Sequence, residues 1–105
     1  MNLEFEKCIR RGKLRKFSRG PALIAKEIQN AKLDLEIAQK SFGDKNYKWA
    51  TIQIYYSMFH SARALIYSKG YREKSHFCLI EAIRFLFVEK RLLDCKIVEA
   101  FQNPI

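Results

Sequence analysis

The amino-acid sequence predicts an all-α protein, an up-and-down antiparallel helical bundle. Apolar residues recur at spacings of three and four through most of the chain, which is the period of an amphipathic helix. Glycine and proline are scarce, with four Gly and two Pro in 105 residues, and no segment alternates apolar and polar residues as a strand does. A chain of this length has room for one core, so we expect a single domain over 1–105 that contains no strand.

The N-terminal segment, 1–17, is predicted to be a basic arm or a short helix. The first 20 residues carry seven Lys or Arg against two Glu, in a chain of formal charge +9. Such a cluster attracts phosphates or an acidic protein partner, although many basic proteins bind no nucleic acid. Charge alone therefore leaves polyanion binding open.

The first long helix is predicted over 21–42. Pro21 suits the first turn, where its missing N–H needs no partner. One face carries a heptad-like apolar stripe, and charged residues are expected to cover the remaining surface. The stripe is Ile24, Ile28, Ala31, Leu35, Ala38 and Phe42, and the surface set is Lys26, Glu27, Lys32, Asp34, Glu36 and Lys40.

The second helix is predicted over 45–69, with Asp44 as its N-cap and Gly70 in the left-handed position after its end. Between Thr51 and Ser68 the only ionisable groups besides tyrosines are His60 and Arg63. A helix that is apolar most of the way round is normally buried on several sides, at the centre of a bundle or against a second subunit.

A third helix is predicted over 76–93, capped by Ser75, and a short turn is expected from Asp94 through Phe101. The sequence Asn103-Pro104 then disfavours a continuing helix.

Composition also predicts the compartment. No apolar run reaches the roughly 18 residues of a membrane span, and the N-terminus lacks the apolar region of a secretion signal. The three cysteines, Cys8, Cys78 and Cys95, are odd in number and widely spaced, so we expect no disulfide framework and no zinc site. We expect a cytoplasmic protein that needs no metal or other cofactor and contacts no membrane.

The polar residues suited to catalysis or ligand binding lie at the end of the second helix and in the turn that follows. If helical geometry reaches back into that turn, Arg72 and His76 are neighbours one turn apart. Metal-free RNA cleavage uses a base to take the 2′-hydroxyl proton and a cation to stabilise the phosphorane, and His76 and Arg72 suit those tasks. Since one histidine does not easily serve as both base and acid, a two-fold dimer would supply the second. The alternative is a packed or solvated His76 and a solvated Arg72.

Other residues of this region suit binding. An anion site without catalysis would use Lys74, Ser75 and the N-terminus of the third helix, with Arg63 and Lys69 as further RNA or nucleotide contacts. The aromatic side chains of the second helix are either base-stacking platforms or, as we favour, core and interface residues. The predicted partner interface is Tyr55, Tyr56, Phe59 and His60.

Two stretches carry a resemblance to a known family. They are Tyr55-Tyr56-Ser57-Met58-Phe59-His60-Ser61-Ala62-Arg63-Ala64-Leu65 and, after Lys69-Gly70-Tyr71, Lys74-Ser75-His76. Together with Arg11-Gly12-Lys13-Leu14 they resemble the HEPN family (higher eukaryotes and prokaryotes nucleotide-binding domain), above all its small stand-alone prokaryotic members. The resemblance implies a helical bundle that homodimerises, often paired with a minimal nucleotidyltransferase as toxin and antitoxin.

Many members of that family are metal-independent ribonucleases in which four to six residues separate an Arg from a His. Here only three residues separate Arg72 from His76. The family also usually has a further helix after the one that ends near Leu93. We therefore interpret the chain as a HEPN-like module that homodimerises and binds a nucleotidyltransferase partner, RNA or nucleotide. The alternatives are an active ribonuclease toxin using Arg72 and His76, and a purely structural oligomerisation module.

Overall fold

The structure is a computed structural model that describes residues 2–103, and it confirms the all-α fold class. The described residues form five α-helices, joined by short connections and packed as a compact helical bundle. They are α1 (Leu3–Arg10), α2 (Gly20–Gly43), α3 (Tyr47–Ser68), α4 (His76–Ile83) and α5 (Cys95–Gln102). Within the described range, no helix is both long and apolar enough to cross a lipid bilayer.

The two long helices, α2 and α3, form an antiparallel hairpin and end within two residues of the predicted bounds. The predicted N-cap at Asp44 is wrong, because Asp44 closes α2 and donates its N–H to the Lys40 carbonyl. Lys45 then takes a left-handed conformation, with φ of 61°, and Asn46 becomes the N-cap of α3. Gly70 has φ of 81°, the left-handed geometry expected after the end of α3.

The third predicted helix ends earlier than 93. Ser75 caps α4 as expected, since its Oγ accepts from the Cys78 N–H at 3.1 Å. After Ile83 the helix widens into a π-helical turn over Arg84–Val88, and Arg91 reverses the chain with φ of 60°. Asp94 then accepts from the Lys96 N–H at 2.8 Å and starts α5.

Two short strands contradict the expectation that the chain contains none. They are β1 (Leu14–Lys16) and β2 (Tyr71–Glu73), paired antiparallel with Arg15 opposite Arg72. Three residues are too few for an alternating pattern to stand out in sequence, and the pairing joins segments far apart along the chain. Leu14 nevertheless points inward and is 1% exposed, so the strand pair is anchored in the core.

A disulfide between Cys8 and Cys78 contradicts the expectation drawn from cysteine number and spacing. It ties α1 to α4 with a Cα–Cα distance of 5.8 Å and a sequence separation of 70. A loop of that length gives a disulfide stabilisation of about 4 kcal/mol, mostly through the unfolded chain. The cysteines therefore do not support a reducing compartment, and Cys95 remains as an exposed free thiol.

The apolar face of α2 is only partly buried. Ala31 and Ala38 pack in the interface with α3, whereas Ile28, Leu35 and Phe42 are 43%, 46% and 63% exposed. Half of the predicted stripe therefore faces solvent in a single chain. One apolar groove lies between α2 and α3, and a second lies between α3 and residues of α4 and α5.

The N-terminal half of α3 is likewise open, against the expectation that this helix is enclosed on several sides. Trp49 and Tyr56 are 54% and 50% exposed, while Ile66 and Tyr67 near its end are fully buried. The core therefore lies at the C-terminal end of α3, next to the strand pair.

Candidate nucleic-acid interface

A pocket lined mostly by cations lies where the strand pair meets α3. Pairing of β1 with β2 places Arg15 directly opposite Arg72, and the backbone of Phe17 donates to the Gly70 carbonyl at 2.7 Å. The cavity measures about 360 Å³. We call it the basic cleft, and its lining residues are Arg15, Lys16, Phe17, Arg63, Arg72, Glu73 and Lys74.

The electrostatics of the basic cleft favour an anion. Five cations and one carboxylate line it, and that carboxylate, Glu73, lies 3.2 Å from the Arg63 Nε. Like charges gathered around one cavity raise its potential, and an anionic ligand relieves their repulsion. The guanidinium of Arg72 lies 5.1 Å above the ring of Phe17, so an aromatic face is held within the same cavity.

Arg63 lies at the floor of the cleft and is fixed from several sides. Its Nη1 is 3.8 Å from Glu27, and its guanidinium lies over the rings of Phe59 and Tyr67 at 5.3 and 5.6 Å. The Arg63 Nε and the Glu73 Oε1 are buried and make no hydrogen bond among the described residues. Burial, partly offset by the Arg63 charge, raises the pKa of the Tyr67 hydroxyl.

Behind Arg63 lies a chain of ionisable side chains that we call the ionic cluster. In order of contact they are Asp34, His60, Glu27, Arg63 and Glu73. The His60 Nδ1 lies 2.6 Å from Glu27, and its Nε2 lies 3.6 Å from Asp34. Glu27 is only 8% exposed, so its predicted position on the surface is wrong. Because a buried carboxylate needs charged or donating partners, the cluster joins α2, α3 and β2 and holds Arg63 in place.

Arg72 and His76 have different surroundings. Arg72 belongs to β2 and packs over Phe17, whereas His76 is the first residue of α4. The helix does not extend back to Arg72, because Ser75 has the extended backbone of an N-cap. The predicted one-turn neighbourhood of this pair is therefore wrong.

His76 instead belongs to an aromatic cluster. Its Nδ1 is 3.0 Å from the Tyr55 hydroxyl, and its ring is 5.1 Å from that of Phe101. Burial raises the pKa of the Tyr55 hydroxyl. The imidazole is therefore held by one hydrogen bond while the residue as a whole remains exposed.

Comparison with known protein families decides the identity of the fold. The HEPN domain model matches residues 25–103, which is most of the chain. The chain belongs to the HEPN family.

Two relatives come from Methanocaldococcus jannaschii. The chain is 29% identical over 76 residues to a protein named "Putative toxin MJ0142", covering 72% of this chain and 52% of that protein. It is 33% identical over 67 residues to "Putative toxin MJ0605", covering 64% and 50%. The chain thus spans about half the length of these relatives, and no solved structure matches it.

Part of the basic cleft lies outside the HEPN match. Arg15, Lys16 and Phe17 precede residue 25, whereas Arg63, Arg72 and Lys74 lie within the matched region. The cleft is therefore formed between the HEPN helices and the basic segment that precedes them.

The other predicted site residues have different surroundings. Lys74 lines the cleft, whereas Lys69 lies over the Phe87 ring at 5.6 Å. The Ser75 hydroxyl is occupied in capping α4. Tyr56 is exposed, and His60 lies in the ionic cluster. Among the described residues, no group of His, Cys, Asp or Glu side chains is arranged to hold a metal ion.

Sequence reasoning missed Arg15, Lys16, Phe17, Glu27 and Glu73. The charge of the N-terminal segment was a usable signal for the first two, but it did not reveal where the segment docks. Phe17 and the two glutamates carried no separate signal. Phe17 and Glu27 depend on partners 55 and 36 residues away along the chain, and Glu73 meets Arg63, 10 residues away, only because β2 packs beside α3.

Proposed function

We propose that this HEPN chain is the toxin-type module of a toxin–antitoxin system and that it binds single-stranded RNA through the basic cleft. The observation that carries the proposal is the convergence of five cations from β1, α3 and the β2 region on one cavity. Phosphate contacts supply most of the affinity of RNA-binding proteins, and aromatic rings or arginine guanidinium planes add stacking that tolerates any base. In the basic cleft that plane is the Arg72 guanidinium, which lies over the Phe17 ring at 5.1 Å.

The relatives support the toxin context, since both are named as toxins. In such a system this module acts as a homodimer beside a nucleotidyltransferase partner. The support for a homodimer is the exposed aromatic surface of α3, which includes Trp49 and Tyr56. Single proteins rarely leave large apolar patches uncovered.

The RNA-binding proposal is tested by removing two cleft charges. Titration of a single-stranded RNA oligonucleotide, in chelator and at several salt concentrations, compares the native chain with the Lys16→Ala/Arg72→Ala variant. We expect the RNA affinity to fall about tenfold or more. The slope of log affinity against log salt concentration should drop by about 1–2, because each lost phosphate contact lowers it by roughly 0.7–0.9. The matched control, Lys26→Ala/Lys40→Ala, removes two exposed charges from α2. Equal weakening by both variants would refute the cleft as the binding site.

A second candidate function is metal-independent RNA cleavage. The observation that favours it is the exposed His76, oriented by the Tyr55 hydroxyl at 3.0 Å as a general base requires. Arg72 of the same chain belongs to the basic cleft, so this reaction needs a dimer to complete the pair. Cleavage in chelator that disappears in His76→Ala, while RNA affinity stays unchanged, supports the enzyme. Cleavage that persists at the native rate rejects this role of His76.

A further inference from the structure

One segment forms a wall of the basic cleft. Besides the peptide chain that continues into α2, one disulfide bond links this segment covalently to the helices. We call this segment, residues 2–19, the arm. It contributes Arg15, Lys16 and Phe17 to the cleft, and the Cys8–Cys78 disulfide joins it to α4. Both cysteines are buried, at 2% and 5% exposure.

The noncovalent contacts of the arm are concentrated at a few points. Its backbone pairs with β2 over three residues, extended by the bonds of Phe17 to Gly70 and of Lys74 to Lys13. Its buried anchors besides Cys8 are Leu14 and Phe5, and the Phe5 ring packs against those of Tyr71 and Phe85. Every ordered residue loses backbone freedom, and an isolated two-stranded pair is marginal in water. The disulfide adds a covalent constraint to these contacts, on which the arm otherwise depends alone.

Electrostatic repulsion opposes docking of the arm. The arm carries seven Lys or Arg, and its Arg15 is paired directly opposite Arg72 of the body. Like charges directly opposite each other in a strand pair are destabilising. An anion in the cleft removes that repulsion, so the arm is most secure when the cleft is occupied.

We propose that the Cys8–Cys78 disulfide is a redox latch that keeps the basic cleft assembled. The inference rests on the proposed function for its ligand, RNA. A dithiol reductant opens the latch by thiol–disulfide exchange: the Cys8–Cys78 bond breaks, two protein thiols form, and the reductant becomes a disulfide. Two electrons and two protons pass to the protein. The arm then loosens, Arg15, Lys16 and Phe17 leave the cleft, and RNA affinity falls.

The latch and the ligand are coupled in both directions. Because both sulfurs are buried, a reductant reaches them only when the arm opens locally. RNA in the cleft holds the arm closed and so makes reduction less favourable. By linkage, the factor by which reduction lowers RNA affinity equals the factor by which saturating RNA lowers the equilibrium constant for reduction.

The experiment uses the full chain with Cys95→Ser, which removes the exposed thiol and confines the chemistry to one pair. Thiol titration should find no free thiol after oxidation by a disulfide reagent and two after dithiothreitol. Amide hydrogen exchange at 14–17 and 71–73 should be faster in the reduced form. Affinity for a single-stranded RNA oligonucleotide should fall about tenfold on reduction. The salt slope should drop by about 1.4, since two cations of the arm are lost and each phosphate contact on a single strand contributes about 0.7.

An equilibrium titration tests the coupling. In a buffer of oxidised and reduced dithiothreitol, saturating RNA should lower the equilibrium constant for reduction of the disulfide about tenfold, matching the loss of affinity, and high salt should abolish the shift. The Cys8→Ser/Cys78→Ser variant should behave like the reduced protein. If that variant does not fold, the reduced form of the Cys95→Ser protein supplies the same comparison.

The outcomes separate the two proposals. Equal exchange and equal RNA affinity in the oxidised and reduced forms overturn the latch and leave RNA binding intact. Two free thiols after oxidation also overturn it. An oxidised protein that binds no RNA overturns the proposed function, and faster exchange at 14–17 on reduction then still supports the latch.

Discussion

The α2–α3 hairpin differs in size, regularity and burial from a second region, which consists of α1, β1 and β2. We call this second region the strand corner. The hairpin is long and regular, it forms from adjacent segments, and much of its apolar surface is left open. The corner is small and is assembled from segments more than 50 residues apart. It nevertheless contains fully buried Leu14, the disulfide and most of the cleft cations. In this HEPN chain the hairpin is the larger packed unit, and the corner holds three of the five cations that line the basic cleft.

The two regions meet at the ionic cluster. Glu27 belongs to α2, Arg63 to α3 and Glu73 to β2, and each acid lies within 3.8 Å of the arginine. A perturbation of either region should therefore reach the other through Arg63. Three substitutions test how far the hairpin and the corner act as one unit.

The largest expected effect comes from the anchor of the corner. Leu14→Ala removes a side chain that is 1% exposed, and we expect a loss of about 3 kcal/mol in the free energy of unfolding. The control is Leu3→Ala on the same arm, where the side chain is 67% exposed and the change should stay within about 0.5 kcal/mol. Denaturant titration of the oxidised protein measures both. A loss below about 1 kcal/mol for Leu14→Ala would mean that the corner unfolds separately from the hairpin.

A smaller effect is expected where the regions join. Glu27→Ala leaves Arg63 and His60 without their shared carboxylate, and we expect a loss of about 2 kcal/mol. The figure lies below the about 3–5 kcal/mol of a fully enclosed pair, because both partner side chains are 21% exposed. Hydrogen exchange at 71–73 should also quicken, since Arg63 then holds Glu73 less firmly.

Glu36→Ala is the matched control for that change, because Glu36 lies exposed on the same helix. It should leave both the unfolding free energy and the exchange at 71–73 nearly unchanged. Equal behaviour of the two variants would show that the ionic cluster does not couple the regions.

The contrast between the two regions also explains what the sequence could predict. Helix periodicity is a local signal, so α2 and α3 could be placed to within two residues, as could the caps at Ser75 and Asp94. Strand pairing, the disulfide and the burial of Glu27 depend on partners distant in sequence. No local pattern reports such partners, and reasoning from spacing alone gave the wrong answer for each.

The candidate site follows the same division. Arg63, Arg72 and Lys74 could be selected from the sequence because they lie in or beside one well-marked turn. The pairing of Arg72 with His76 failed because it assumed helical geometry across residues that form β2 and an extended N-cap. The partners of Arg72 come from the arm, whose docking position is a property of the folded chain.

The smallest expected effect uses the two glycines at the ends of α2. A Cβ at Gly20 would lie 2.7 Å from the Tyr67 carbonyl oxygen and 3.1 Å from its Cα, so backbone has to move. Gly20→Ala should therefore cost about 1–2 kcal/mol. A Cβ at Gly43 meets nothing within 4 Å, and Gly43→Ala should gain about 0.5 kcal/mol from helix propensity. Denaturant titration measures both variants. A loss of stability for Gly20→Ala and a gain for Gly43→Ala would show that α2 packs tightly against α3 near the strand corner and has open space at the hairpin tip. A gain of stability for both variants would mean that the backbone contact between Gly20 and Tyr67 adjusts easily to a methyl group. The joint between the arm and α2 would then be loosely packed.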